Sequence, residues 1–414
     1  MFINSEFVEV SLISKPFKIL VIGLIVNLSI GILYVWGVFS EPLAEALGVD
    51  PKDVDGPYQT SVFAFSVSLF LAGVWQDKIG PRKVTILGVF LVGAGLLASG
   101  YASTLAELQV TFGCMVGAGM GFAYACIGPC TMKWWPENRK GLVSGLTAGG
   151  FAMAALYLAP LSTILIEHYG ILDTFKILGV GLLFMIPMAS LLVNPPKGYV
   201  SEVPGGKAAE YGSDVNIKWL DMLKTPQFYQ IWLMFMVSSA AGIMLIGSIG
   251  NVSKSIGLTA EEIALGIILL AIFNTAGRVI GGVVFDRIGR VHTLGLIFML
   301  QAVNMVFFTT IETTIPLMIG ISAGAMSYGA LFGVFPPVTA VDYGLKTYGT
   351  NFGILYSAWG VSGFFGGILA SVAGTAENTY LAYAALLVSI TVMNYLMKPV
   401  DKSVLLKDEV NLEY

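Results

Sequence analysis

Apolar runs long enough to cross a bilayer recur about twelve times in this chain, and this repetition limits its fold more than any other feature. Roughly 30 Å of hydrocarbon takes about 20 apolar residues in a helix. The runs fall near 17–40, 56–76, 84–103, 107–133, 141–166, 172–193, 227–251, 261–285, 292–311, 314–340, 350–374 and 378–397. Composition agrees, with 56% hydrophobic and only 12% charged residues, where an ordinary soluble domain carries about 25% charged. The expected fold class is an all-α membrane protein of twelve transmembrane helices, with the lipid bilayer as its solvent.

Basic residues orient the runs. With the N-terminus inside, only Lys52, Lys176 and Lys254 of the 22 lysines and arginines fall outside, and Arg278 lies within the membrane. This asymmetry places both termini in the cytoplasm, in a multi-pass protein of the cell (inner) membrane. The first apolar run is too long for a signal-peptide core, and Glu6 and Glu9 spoil a basic leader. Cys114, Cys126 and Cys130 share one apolar run and read as small buried hydrophobes rather than as a disulfide framework or metal pair. No metal and no cofactor are expected.

The longest polar stretch, "NPPKGYVSEVPGGKAAEYGSDVNIKWLDMLKTPQ", begins at Asn194 and divides the runs six from six. The domains expected are therefore residues 1–193, a cytoplasmic linker at 194–226, and residues 227–414. The two halves repeat. "GVWQDKIGPRK" (73–83) lies between runs two and three, and "GVVFDRIGRVH" (282–292) between runs eight and nine. Parallel halves with a site between them near the midplane are a transporter architecture.

The Gly-x-x-x-Asp-basic-x-Gly loop in both halves resembles the signature of the major facilitator superfamily. Within it the chain resembles the oxalate/formate antiporter group and bacterial monocarboxylate (lactate/pyruvate) transporters. Further stretches carry the likeness: "GILYVWGVFSEPL" (31–43), "KWWPENRKGLVSGLTAGGFAMAALYLAPL" (133–161), "FNTAGRVIGGVVFDRIGR" (273–290) and "YGTNFGILYSAWGVSG" (348–363). The resemblance implies two pseudo-symmetric six-helix halves and secondary transport by alternating access. It also implies a conformational latch at Asp77, Arg82, Asp286 and Arg290, formed by ion pairs that break as the halves rock. Gly73 and Gly282 would let helices approach closely there.

Arg278 is the one charge in the eighth run. A guanidinium near the bilayer centre costs about 2.5–3.5 kcal/mol on insertion scales. Its side chain leans toward its own N-terminus and so away from the nearer interface, which handicaps snorkelling. No carboxylate lies in the apolar middle of any run. A substrate anion is then the missing partner; the bland alternative is bonding to backbone carbonyls. Asn274, four residues earlier, shares that helix face. Relatives resembling mammalian monocarboxylate carriers often have an acidic residue there, so the amide argues against proton carriage at this position.

In oxalate exchangers the eleventh helix carries a lysine, and here Trp359 stands at the matching place. One cation matches one carboxylate, because a dianion would leave net charge buried. Tyr124 and Tyr328 look like counterparts across the halves, and with Tyr34 and Trp359 they supply hydroxyls and rings for a small substrate. Tyr157, Tyr356 and Asn27 are weaker candidates. "GISAG" (320–324) matches the serine-nucleophile pattern, yet it lies inside an apolar helix with no histidine nearby. Neither an enzyme nor a nucleic-acid binder is expected. The expected function is proton-coupled symport of a small carboxylate such as lactate or pyruvate by a monomer. Anion exchange of the oxalate/formate type stays open, and a non-transporting carboxylate sensor is the rival from another class.

Overall fold

The computed structural model describes residues 14–50, 53–201, 203 and 217–400. Lys52, both termini, and residues 202 and 204–216 of the expected linker lie outside the described residues. Among the described residues helix accounts for every long element, in ten continuous apolar stretches able to cross a membrane. Two of these, Glu137–Ala189 and Glu261–Phe308, are about twice the length one crossing needs. Each breaks at one glycine in the left-handed region, Gly170 (φ 77°) and Gly289 (φ 76°). The result is twelve spans in two six-helix halves.

Span 1 is Lys15–Ile30, a 3-10 turn at Ile32–Val35, then Trp36–Leu47. Spans 2, 3 and 4 are Asp55–Ile79, Pro81–Ser99 and Leu105–Met132. Spans 5 and 6 occupy 140–169 and 171–189, the latter with a short break after Leu183. Span 7 is Pro226–Ser255, and spans 8 and 9 occupy 260–288 and 290–308. Spans 10, 11 and 12 are Thr314–Tyr343, Tyr348–Ala373 and Ala376–Leu396.

Local chemistry sets these limits. Thr259 and Glu262 form a capping box at the start of span 8, which satisfies amides that the first helical turn leaves orphaned. Pro81 and Pro226 stand at first helical positions, where a missing N–H is harmless. The repeated loop has a conformational reason: Gly80 (φ 84°) and Gly289 (φ 76°) both follow Asp-basic-Ile and make the same sharp reversal. A side chain at either position would be strained. The end of the bundle that carries these loops, with Lys78, Arg82, Lys83, Arg287 and Arg290, is called the basic end below.

Candidate carboxylate site between the halves

The break in span 1 prepares the site. A Cβ at Gly31 would meet the carbonyl of Phe151 and the side chain of Ala154 in span 5, so only glycine allows this approach. The chain then turns through Ile32–Val35 and presents Tyr34 toward span 8. Span 8 is pressed equally closely from both sides: a Cβ at Gly145 in span 5, or at Gly333 in span 10, would run into the carbonyl of Arg278. Small residues thus bring three helix backbones together at the level of the arginine.

Arg278 is 1% exposed. Its Nε donates to Asn274 Oδ1 at 3.1 Å, one terminal nitrogen to the Ala148 carbonyl at 2.9 Å, and the other to the Tyr34 hydroxyl at 2.8 Å. The guanidinium lies over the Phe332 ring, 4.7 Å from its centroid, a favourable cation–π arrangement. Tyr124 lies within electrostatic reach of it. None of these partners is a carboxylate. The backbone carbonyl of the bland alternative is present, supplied by span 5 of the opposite half, but it is one partner among several neutral ones. Neutral dipoles and one aromatic face therefore surround a full positive charge.

The remaining hydrogen-bonding capacity is almost all donor. The Tyr34 hydroxyl accepts from Arg278 and keeps its own O–H to give; the Tyr328 hydroxyl accepts from Trp359 Nε1 at 2.9 Å and does likewise. Asn274 uses its oxygen on Arg278, which leaves its NH2 as a donor. A buried cation beside several uncommitted O–H and N–H groups has the chemistry to hold an anion.

Aromatic rings wall it. In the N-terminal half Phe151 contacts Tyr34 and Tyr124 at centroid separations of 5.6 and 5.1 Å. In the other half Tyr356 meets Trp359 at 5.5 Å and Phe332 at 6.2 Å. Phe65 joins the two sets, with Tyr356 at 6.3 Å and Trp359 at 6.2 Å. Sequence reasoning did not single out Phe65, Phe151, Phe332 or the Ala148 carbonyl. One signal was present: the offset that pairs Asp77 with Asp286 also pairs Phe65 with Asn274.

All six expected site residues converge, but the counterpart of Tyr124 differs. A Cβ at Gly121 would meet Phe65 and Ser68 in span 2, and one at Gly329 would meet Asn274 in span 8. These crossings are equivalent, so Tyr124, three residues after Gly121, corresponds to Phe332 rather than Tyr328. Phe332 lies against the guanidinium as a bare ring, and Tyr124 places a phenol within electrostatic reach of it. The weaker candidates divide. Tyr356 lies in the aromatic wall, whereas Asn27 donates to the Thr147 carbonyl at 2.8 Å and Tyr157 to the Leu28 carbonyl at 3.1 Å. Both of those bonds tie span 1 to span 5.

At the basic end, the Asp77 oxygens accept from the backbone N–H of Gly349 at 3.1 Å and Thr350 at 2.8 Å, and from the Thr350 hydroxyl at 2.8 Å. Asp286 accepts from the N–H of Gly141 at 2.8 Å and Leu142 at 2.7 Å. Each carboxylate thus caps the N-terminus of a helix in the opposite half, where the helix dipole favours negative charge. The expected ion pairs are arranged differently. Arg290 pairs with Asp342 inside its own half, and Arg82 is exposed and joins neither contact. Gly73 lies against the Gly349 carbonyl, and Gly282 against that of Gly141, so the halves meet backbone to backbone beside each cap.

The sequence profile described as Major Facilitator Superfamily matches residues 19–367. The chain belongs to the major facilitator superfamily. It is a membrane-spanning transporter of that superfamily. An oxalate:formate antiporter of Oxalobacter formigenes is 26% identical over 392 residues, covering 92% of this chain and 91% of that protein. Monocarboxylate transporter 1 of Bos taurus is 31% identical over 188 residues, covering 41% of this chain and 36% of that protein. Among solved structures, the human organic anion transporter MFSD10 superposes with a TM-score of 0.71 at 12% identity, covering 92% of this chain and 100% of that one. FucP in its outward conformation gives 0.67 at 13% identity, covering 91% and 99%. At such identities these structures speak to the fold alone.

Proposed function

We propose that this chain carries a small monocarboxylate, of the lactate or pyruvate kind, across the cell membrane by alternating access. One observation carries the reading: a guanidinium that is 1% exposed and has only neutral partners among the described residues. A carboxylate bound there would neutralise the charge and receive bonds from Tyr34, Tyr124, Tyr328 and Asn274. The rings of Phe65, Phe151, Phe332, Tyr356 and Trp359 would enclose a short alkyl or keto group. The named relatives transport carboxylates, which agrees with this chemistry. The cage holds one arginine, and Trp359 occupies the place of a second cation, so a dicarboxylate would bury an unpaired charge.

In this reading the basic end faces the cytoplasm. Asp77 and Asp286 hold that end shut through the helix caps they form across the halves, and substrate binding permits their release. Neutralising Arg278 makes the loaded carrier cheaper to rock than the empty one. Proton symport suits a site built for one charge. Strict exchange is the second reading, favoured by the relative that spans 92% of this chain and is named an oxalate:formate antiporter.

The deciding experiment is labelled L-lactate uptake into proteoliposomes without internal substrate, with and without an inward proton gradient. Gradient-driven uptake, competed by pyruvate and not by oxalate, is expected. Uptake only after anion preloading would replace symport by exchange, and no lactate movement under either condition would remove the monocarboxylate assignment.

A further inference from the structure

Span 11 joins the cage to the closed basic end through one aromatic face. Tyr348 stacks on Phe352 at 5.4 Å and an 18° interplanar angle, Phe352 meets Tyr356 at 5.5 Å, and Tyr356 meets both Trp359 and Tyr124. Spacings of four, four and three residues lay these rings along a single side of the helix. Tyr348 and Tyr356 are separated by about 12 Å at 1.5 Å per residue. The lower end of this face has an unusual group. Tyr348 is 1% exposed, and its hydroxyl has no hydrogen-bond partner among the described residues. It lies within electrostatic reach of Tyr124 on the cage side and of Asp77 at the basic end. A buried hydroxyl without a partner destabilises a fold relative to phenylalanine, so packing alone does not explain it.

The two residues after Tyr348 are those that cap onto Asp77. Gly349 and Thr350 give it two N–H bonds, and Thr350 adds its hydroxyl. The N-terminus of this 26-residue helix is thus an anion site that the protein fills with its own carboxylate while the basic end is closed. Asp77 belongs to the opposite half. When the halves part at this end, Asp77 leaves with span 2, and the N–H groups stay with Tyr348.

We propose that Tyr348, with the N–H groups of Gly349 and Thr350, forms a second, transient carboxylate site between Arg278 and the basic end. Asp77 takes the N–H groups in the closed state and leaves the Tyr348 hydroxyl unpartnered among the described residues, and the departing or arriving substrate takes both in the open state. This rests on the monocarboxylate reading above. While Asp77 is in place its charge repels a second anion. Once it moves, one O–H and the freed N–H donors remain for the substrate carboxylate, so the anion exchanges the bonds of Arg278 for others on its way out.

The test compares wild type and Tyr348→Phe in oriented proteoliposomes, measuring lactate counterflow from each side, together with thermal stability in detergent. The expected result is a half-saturating lactate concentration at least fivefold higher at the basic end. At the opposite end it should stay within twofold of wild type, with a Tm that is unchanged or raised. Equal changes at both ends, no change at either end, or a lowered Tm with uniform loss of transport would each overturn the proposal. Wild-type protein that moves no lactate would instead overturn the monocarboxylate reading, and this inference with it.

Discussion

Arg278 and Tyr34 are 244 positions apart, yet the guanidinium donates to the phenol oxygen across the interface between the halves at 2.8 Å. Through this bond the only mid-membrane cation among the described residues senses both halves at once. Arg278→Lys keeps a positive charge but loses the planar fork that reaches Asn274, Ala148 and Tyr34 together. Losing one or two charge-assisted bonds, at about 1.5–3 kcal/mol each, predicts at least about a 10-fold fall in lactate uptake. Normal assembly in the membrane should accompany it. Uptake within threefold of wild type would remove Arg278 from the substrate's partners.

Tyr34→Phe is the milder companion. It deletes one acceptor for Arg278 and one donor for the substrate, so affinity should fall roughly tenfold, or about 1.4 kcal/mol. The maximal rate should change less. Titration of lactate against the intrinsic tryptophan fluorescence of the purified protein would read this directly, and unchanged affinity would place Tyr34 outside the site.

Which parts of this arrangement were legible in the sequence follows from the kind of partner each residue uses. Arg278, Asn274 and Tyr34 could be read because a charge or amide in an apolar run is conspicuous. The Ala148 carbonyl was not legible, since a backbone acceptor leaves no mark in residue identity. Phe65, Phe151 and Phe332 were hidden for the opposite reason, because a phenylalanine in a membrane helix looks like ordinary lipid-facing or packing residue. Pairing Tyr124 with Tyr328 was a register error of one turn, visible only once Gly121 and Gly329 are seen at equivalent crossings. The latch shows the same limit. Asp77 and Asp286 stand out in the repeated loop, but their partners are N–H groups of Gly349, Thr350, Gly141 and Leu142. An arginine partner was the natural expectation because only side chains are spelled out in a sequence.

Those caps make a prediction of their own. Asp286→Asn keeps the shape and one acceptor oxygen but removes the charge at the start of span 5. A charge at a helix N-terminus contributes about 0.3–1 kcal/mol, and up to ~2 kcal/mol where partly buried. The population closed at the basic end should fall by a factor of a few to about 30. Distances between spin labels at the basic ends of spans 2 and 11 would report the shift, and Asp77→Asn should act in the same direction. A distance distribution identical to wild type in both variants would mean that the caps do not set the conformational balance.

Phe65 tests whether the walls limit substrate size. Its ring touches both Tyr356 and Trp359 from the other half, so Phe65→Ala removes one piece of the wall that bridges the halves. Lactate affinity should drop several-fold, while monocarboxylates with longer alkyl chains gain relative to lactate. Competition of labelled lactate uptake by a homologous series of 2-hydroxy acids gives the profile. An unshifted rank order would show that the aromatic wall does not discriminate by length.

Trp359 bears on charge selection. Its indole nitrogen donates to the Tyr328 hydroxyl at 2.9 Å, and its ring packs against Phe65, Phe332 and Tyr356. Trp359→Lys would place a second cation in the wall of the cage, on span 11, with Arg278 on span 8. Two cations without a dianion repel in a medium of low dielectric, so the empty variant should be less stable than wild type and should bind lactate more weakly. Oxalate supplies two negative charges and should then both bind and stabilise the variant, and should do neither for wild type. Thermal shift in detergent with oxalate or lactate measures this without requiring turnover. A variant that folds, yet gains no stability from oxalate, would show that the number of cations in the cage does not decide between mono- and dicarboxylates.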